Sequence, residues 1–349
     1  MEALSPYCKS INVHRIGKFD ILYNMFFSFL TNSSFQSRYF FSHHFHEVII
    51  EQVKQIKPDL IFFQLARTAR YVKGLEMFPC YIDFQDAFSR GMEQRRLKSY
   101  FPKSLVFSYE AKRLLDFERD CFRSFHGFSM ISPEDSKIVT RPSDPVVDIV
   151  PNGVDCQFFK PVTLEKSVDL VFVGNMGYDP NIQAVEYLVK KVMPQVWKRF
   201  PNTKLMIAGA NPSKSVLALE GPNVEITGWV DDIRTCYGKS KLFIAPMISG
   251  TGLQNKLLEA MSMELPCITT PICANALKPG FENALLVGSN SDELAQLVSL
   301  FMENPNRFEN LGRLGREYVS THYDLDAVGL NLEASLLNAI TSFNATNKK

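Results

Sequence analysis

Within Ser249-Gly250-Thr251-Gly252-Leu253-Gln254-Asn255-Lys256-Leu257-Leu258-Glu259-Ala260-Met261 stand the residue types needed to hold a diphosphate. The two glycines, Gly250 and Gly252, allow a tight loop whose backbone approaches a ligand. From about Gln254 the pattern turns helical, with Leu257, Leu258 and Met261 spaced to line one buried face. Lys256 and Glu259 are three apart and share another face. A loop opening a helix gathers free N–H groups and the positive end of the helix dipole at one spot. Lys256 adds a cation in the first turn, and a carboxylate one turn on can accept hydrogen bonds from ribose hydroxyls. The plain alternative is an ordinary strand–loop–helix with a solvated Lys/Glu pair, because short motifs recur by chance.

Other chemistry-bearing groups are spread along the chain. Asp83 and Asp86 flank Phe84-Gln85 at a predicted strand end. Such carboxylates suit an acid/base role at a hydroxyl, or in the case of Asp86 a turn or helix N-cap. Arg67, Arg70 and Arg90 suit a phosphate or plain solvation. His43, His44 and His46 have no partnering Cys or Glu motif, so the expectation is no metal. Gly174-Asn175-Met176-Gly177 lacks G-x-G-x-x-G, which argues against a dehydrogenase-type dinucleotide site.

The elements that must position these groups alternate along the chain. Leu60–Leu65, Cys80–Phe84, Gly127–Ser132 and Val146–Val150 read as strands of a first half. Pro133 and Asp135 open a helix there. Ser10–His14 is a candidate short strand, and 19–30, 35–45 and 47–56 are candidate helices. Pro151-Asn152-Gly153-Val154-Asp155 is turn-rich punctuation. The second half sets strands at 170–173, 205–208, 224–227, 243–245, 268–270 and 285–287 between helices such as 182–200 and 292–301. Such alternation predicts a parallel sheet with helices on both faces and ligands at the strands' carboxyl ends. Gly174, Gly209, Gly228 and the 249–252 loop would meet at that edge. A last helix, 326–343, is expected to bury Leu330, Ala334 and Leu337.

Gly250 to Met261, with Leu265-Pro266-Cys267-Ile268-Thr269-Thr270 behind it, resembles the donor-site signature of GT-B glycosyltransferases, more narrowly of glycosyltransferase family 4 and its bacterial exopolysaccharide-type sugar transferases. Pro-Asn-Gly-Val-Asp resembles that family's passage between domains. The resemblance covers most of the chain from about residue 50 and is strongest from 151 to 323. It implies an α/β GT-B fold, with two Rossmann-like doubly wound domains facing a cleft. These are an acceptor-side domain at 1–150, a nucleotide-sugar domain at 151–325 and a terminal helix at 326–349 packing back on the first domain. No Gly-Gly loop precedes the first strand, so the first domain is expected to be truncated at its N-terminus.

By the same resemblance Glu259 holds the ribose, while Gly250, Thr251 and Gly252 hold the diphosphate. Gly228, Trp229 and Val230 read the base, with a core role for Trp229 as the alternative. Gly174 and Asn175 adjoin the phosphates, where relatives place an Arg and a Lys. This chain has neither, which leaves Lys256 as the main cation. Relatives often carry a glutamate ahead of the glycine loop, and Ser249 stands there. Asp86, with Asp83, falls where relatives place an acceptor-side His-Asp.

The activity the resemblance implies is metal-independent, retaining hexosyl transfer in which the nucleotide sugar is a substrate and no cofactor is needed. The acceptor is a polysaccharide, a lipid-linked glycan or another glycan. Two alternatives are an inactive partner of another transferase and a nucleotide-sugar epimerase. The 349 residues, 46% hydrophobic and 21% charged with net charge +1, exclude a basic nucleic-acid binder. Seven scattered cysteines without C-x-x-C, and no secretory signal, fit a reducing, cytoplasmic setting. The apolar segment from Phe19 to Leu30 carries Asp20, Asn24 and Ser28 and is too short to span a bilayer. The aromatic stretch from Phe19 to Phe45 fits peripheral contact with the inner membrane face, or core packing.

Overall fold

The computed structural model describes residues 5–250 and 253–347. Contacts divide the chain into one unit of Met1–Ile149 with Ala334–Lys349 and a second of Val150–Glu333. The expected passage at Pro151 lies beside the first division. The second division falls inside the terminal helix rather than ahead of it.

The first unit contains α1 (Lys18–Leu30), α2 (Phe35–Tyr39), α3 (His43–Ile56), β1 (Ile61–Gln64), β2 (Cys80–Asp83), α4 (Phe88–Lys98), α5 (Lys103–Asp120), β3 (Gly127–Met130), α6 (Pro133–Val139) and β4 (Asp148–Ile149). A 3₁₀ helix, Ala66–Val72, follows β1. The strands form a parallel sheet in the order β1-β2-β3-β4. Strand β2 is buried on both faces, as a central parallel strand must be. Two buried carboxylates on α5 hold the starts of other helices, adding to the Ser34 cap of α2 and standing in for the side-chain cap that α4 lacks. Glu110 accepts from the Ser34 hydroxyl and from the Phe35 and Gln36 N–H groups at 2.7, 2.9 and 2.9 Å, closing the start of α2. Glu118 accepts from the Phe88 N–H at 2.7 Å and the Ser89 hydroxyl at 2.5 Å, closing α4.

Two expectations are corrected here. Residues 10–14 form no strand. The stretch 35–45 is two helices, because Ser42 leaves the helical region and its hydroxyl accepts from Phe45 N–H to start α3. Helix α1 turns its polar side inward and most of its aromatics outward. It buries Asn24 and Ser28, which donate to the carbonyls of Phe41 and Ser33, and exposes Phe19, Leu22, Phe26 and Phe29.

The second unit contains β5 (Val168–Val173), α7 (Asp179–Tyr187), a π-helical turn (Leu188–Val192), α8 (Met193–Arg199), β6 (Leu205–Ala208), α9 (Lys214–Leu217), β7 (Val224–Gly228), α10 (Arg234–Lys239), β8 (Ser240–Ala245), α11 (Asn255–Ser262), β9 (Cys267–Thr269), α12 (Pro271–Ala274), β10 (Leu286–Val287), α13 (Ser291–Glu303) and α14 (Glu309–His322). Its sheet is parallel, ordered β10-β9-β8-β5-β6-β7. The strand order reverses between β5 and β8, which creates a switch point at their carboxyl ends.

Helix α15 (Leu325–Asn347) runs from the second unit into the first. Its buried residues are Val328, Ser335 and Ala339, whereas the expected stripe of Leu330, Ala334 and Leu337 is exposed. Inside the first unit Ser335 bonds the Tyr81 hydroxyl at 2.7 Å and donates to Asp148. Gly127 has no room for a Cβ because Tyr81 and Ala339 would lie within 2.5 and 2.7 Å of it. Small residues on the helix, rather than leucines, are selected by that close approach.

Candidate functional site

In the second unit, an open cleft of about 430 Å3 lies at the carboxyl edge of the sheet. It is lined by Asn152, Gly174, Asn175, Tyr178, Asn181, Gln254, Lys256 and Glu259, among others. Helix α11 supplies the last two. Leu257, Leu258, Ala260 and Met261 bury one of its faces, which turns Lys256 and Glu259 to the cleft. The Gln254 side chain does not cap this helix, so the positive end of its dipole opens on the cleft.

Lys256 Nζ donates to Gln254 Oε1 at 2.7 Å. Burial lowers the lysine's affinity for its proton, against the opposing pull of Cys273 and Glu259. Burial also lifts the Glu259 carboxyl above the usual range, opposed by a hydrogen bond from Tyr237 and by the charge of Lys256. Tyr237 is fully buried and donates to Glu259 Oε2 at 2.8 Å. Its ring is clamped between Phe159 and Phe243. Glu259 is thus aimed by a rigid group, with Oε1 unengaged by any described residue.

From Gly174, at the wall of the cleft, neighbouring strand ends are tied through backbone; Gly209, Gly228, Trp229 and Val230 stand beyond the residues that line it. Gly174 N–H donates to the Ala208 carbonyl at 3.0 Å, and Gly209 N–H to the Gly228 carbonyl at 3.1 Å. Gly209 has φ +136° and sits so close that a Cβ there would lie 1.9 Å from the Gly174 carbonyl oxygen. No other residue fits. Gly228, φ +65°, ends β7. Trp229, next in the chain, is 74% exposed, which removes the core alternative. Val230 is half-buried beside it. Asn175 accepts from Gly177 N–H through its side chain and from Asn181 Nδ2 through its carbonyl. Gly250 takes φ +116°, and Ser249 donates to Gln183 at 2.8 Å. Thr251 and Gly252 lie outside the described residues.

Sequence reasoning missed Tyr237 and Asn152. Nothing in their spacing ties them to Glu259. Asn152, from the turn that reads as a boundary, donates to Asn255 at 3.2 Å at the start of α11. Asn181 is buried, and its Oδ1 has no partner.

Asp83 and Asp86 lie in the first unit, at the carboxyl end of β2. Asp83 is buried and accepts from the Ser129 hydroxyl at 2.9 Å, from Gln85 N–H at 3.3 Å and from the Gln85 amide. Its oxygens hold the strand end, with Gln85 at φ +64°. Asp86 is the open one. Its Oδ1 is buried without a partner, and burial, with Asp135 adding repulsion, lifts the carboxyl to about 6. Arg90 is committed to Asp135 at 3.3 Å. His46 bonds the Lys73 carbonyl at 2.7 Å. Among the described residues no three His, Cys, Asp or Glu are grouped to hold a metal ion.

Residues 167–304 match the family described as Glycosyl transferases group 1, so the second unit carries a domain of that family. The chain as a whole has a GT-B fold. It superposes on sucrose-phosphate synthase from Thermosynechococcus elongatus with TM-score 0.65, at 15% identity over 83% of this chain and 76% of that one. An uncharacterized 44.6 kDa protein of the cps region of Klebsiella pneumoniae is 24% identical over 45% of this chain and 42% of its own length. A GDP-mannose-dependent monoacylated alpha-(1-6)-phosphatidylinositol monomannoside mannosyltransferase of Corynebacterium glutamicum is 26% identical over 54% of this chain and 56% of its own length. The chain therefore spans about half the length of the curated relatives it matches.

Proposed function

We propose that this protein transfers a sugar from a nucleoside-diphosphate sugar to a hydroxyl of a glycan or lipid-linked acceptor. The observation that carries the proposal is the cleft itself: an open helix start, Lys256 in its first turn and Glu259 aimed by Tyr237. The diphosphate lies at the start of α11, where the dipole and Lys256 stabilise charge growing on the leaving group. Glu259 Oε1 accepts from ribose hydroxyls. Gly228, Trp229 and Val230 face the base, and Gly174, Asn175 and Gly250 form the walls. These fixed positive groups do the work of a cation, so transfer needs no metal, and the sugar keeps its anomeric configuration. In the first unit Asp86 attends the acceptor hydroxyl, while Asp83 shapes the loop that presents it. Calorimetric titration of UDP and of GDP, with and without EDTA, tests the donor site. Saturable, EDTA-insensitive binding of one of them is expected. Binding of neither removes the reading.

The acceptor is met at a membrane surface. Phe19, Leu22, Phe26 and Phe29 recur at three- and four-residue spacing on the outer side of α1 and are 88%, 67%, 62% and 69% exposed. Such a face lies in the interface of a bilayer. Among the described residues no helix is long and apolar enough to cross one. Flotation with liposomes is expected to carry the protein, and Phe26→Glu to leave it behind. Equal recovery of both proteins in the soluble fraction contradicts the membrane reading.

A further inference from the structure

Among the described residues of the first unit, no carboxylate balances three of the arginines. The 3₁₀ helix Ala66–Val72 stacks residues three apart, so Arg67 and Arg70 stand one above the other. Short helix α2 packs against it and contributes Arg38. The Arg67 guanidinium lies between the rings of Phe40 and Phe88, 4.8 Å from each. Arg70 donates through Nε and Nη2 to the Ser37 hydroxyl at 3.2 and 3.0 Å and stacks on Phe117 at 5.2 Å. Among the described residues none of the three arginines forms an ion pair, and the Nε atoms of Arg38 and Arg67 are buried without a partner. Burial and the nearby charge of Arg38 together pull Arg70 down to about 10.

Nearby carboxylates are already committed. Glu110 is taken up by the start of α2, Glu118 by the start of α4 and Asp135 by Arg90. Like charges gathered in a desolvated place raise the free energy of the empty protein. Planar guanidinium forks held on aromatic rings are the arrangement that binds phosphate oxygens in pairs.

We propose that Arg38, Arg67 and Arg70 form a binding site for a phosphate or diphosphate group carried by the acceptor. The acceptor is then a phosphorylated glycan or a lipid phosphate. This inference rests on the transferase reading for the word acceptor, and its test does not.

The test uses the full chain carrying Lys256→Ala, which removes the donor-site cation. Inorganic pyrophosphate is titrated by calorimetry. Saturable binding is expected, weakened about tenfold or more by adding Arg38→Gln and again by adding Arg67→Gln, one charge-assisted bond each. In phosphate-free buffer Arg38→Gln is expected not to lower the melting temperature, since it relieves repulsion. If Arg38→Gln fails to fold, Arg67→Gln decides alone.

Displacement of bound pyrophosphate by phosphatidylcholine vesicles containing phosphatidic acid, but not by glucose 1-phosphate, identifies a lipid phosphate. The reverse pattern identifies a soluble one. Pyrophosphate binding that is absent, or indifferent to both arginine variants, overturns the site. So does a fall in melting temperature with affinity unchanged. If pyrophosphate binding responds to the arginines while neither UDP nor GDP binds the unmodified chain, the transferase reading fails and the arginine site stands.

Discussion

Glu259→Gln separates a ligand-holding carboxylate from a structural one. In the empty protein Oε2 accepts from Tyr237 at 2.8 Å, and Oε1 has no partner among described residues. A glutamine in the same rotamer keeps an oxygen facing Tyr237, whose hydroxyl can also turn to the Lys256 carbonyl at 3.2 Å. The internal bond is therefore preserved or replaced. The variant also removes a charge that burial already disfavours. Unliganded stability should not fall, and glutamine does not weaken the helix. Binding behaves differently. One or two ribose hydroxyls lose a charged acceptor, and hydrogen bonds to charged groups contribute about 1.5–3 kcal/mol each. Affinity for UDP or GDP should drop by roughly one to two orders of magnitude, at about 1.4 kcal/mol per decade. Calorimetry gives the affinity, and differential scanning fluorimetry of the free protein gives the stability. A variant that melts several degrees lower yet binds nucleotide as before would refute the assignment.

Lys256→Ala should weaken nucleoside diphosphates about tenfold or more and leave uridine or guanosine unchanged, as read by the same titrations. Asp86→Asn should lower turnover by about two to four orders of magnitude and abolish an acidic limb near pH 6 in the pH–rate profile. Asp86 and Glu118 both bind protons more tightly folded than unfolded, with burial raising them from 3.8 to about 6 and from 4.5 to about 7. Their contribution to stability is therefore complete below about pH 4 and lost as pH rises through 6 and 7. Melting temperature should decline over that window, and Glu118→Gln should flatten the decline.

Much of the second unit was legible in the sequence because its signals are local. Every predicted strand there recurs within a few residues, since an apolar run flanked by glycine or proline determines a buried parallel strand wherever it lies. The pairing of Lys256 with Glu259 on one face of α11 follows from helical spacing alone. The first unit was less legible. The starts of α2 and α4 are held by Glu110 and Glu118, residues of α5 far along the chain, and α4 has no side-chain cap of its own. The sequence left the aromatics of α1 between core and surface, and the choice turned on Asn24 and Ser28, whose side chains are satisfied by carbonyls outside the helix while the aromatics stay outside. The buried side of α15 went to Ser335 and Ala339 because Tyr81 and Gly127 approach too closely for leucine.

Composition and periodicity thus determined the class of fold, the order of the strands' appearance and the sharing of one face of α11 by Lys256 and Glu259. Tertiary structure alone decided which groups meet. It set Tyr237 on Glu259, withdrew Asp83 into the β2 turn and left Asp86 open. It paired Arg90 with Asp135 while leaving Arg38, Arg67 and Arg70 without a counter-charge among the described residues. The reason is physical: hydrogen bonds and desolvation act through space at about 3 Å, whereas a pattern in sequence records only which face of its own element a residue occupies.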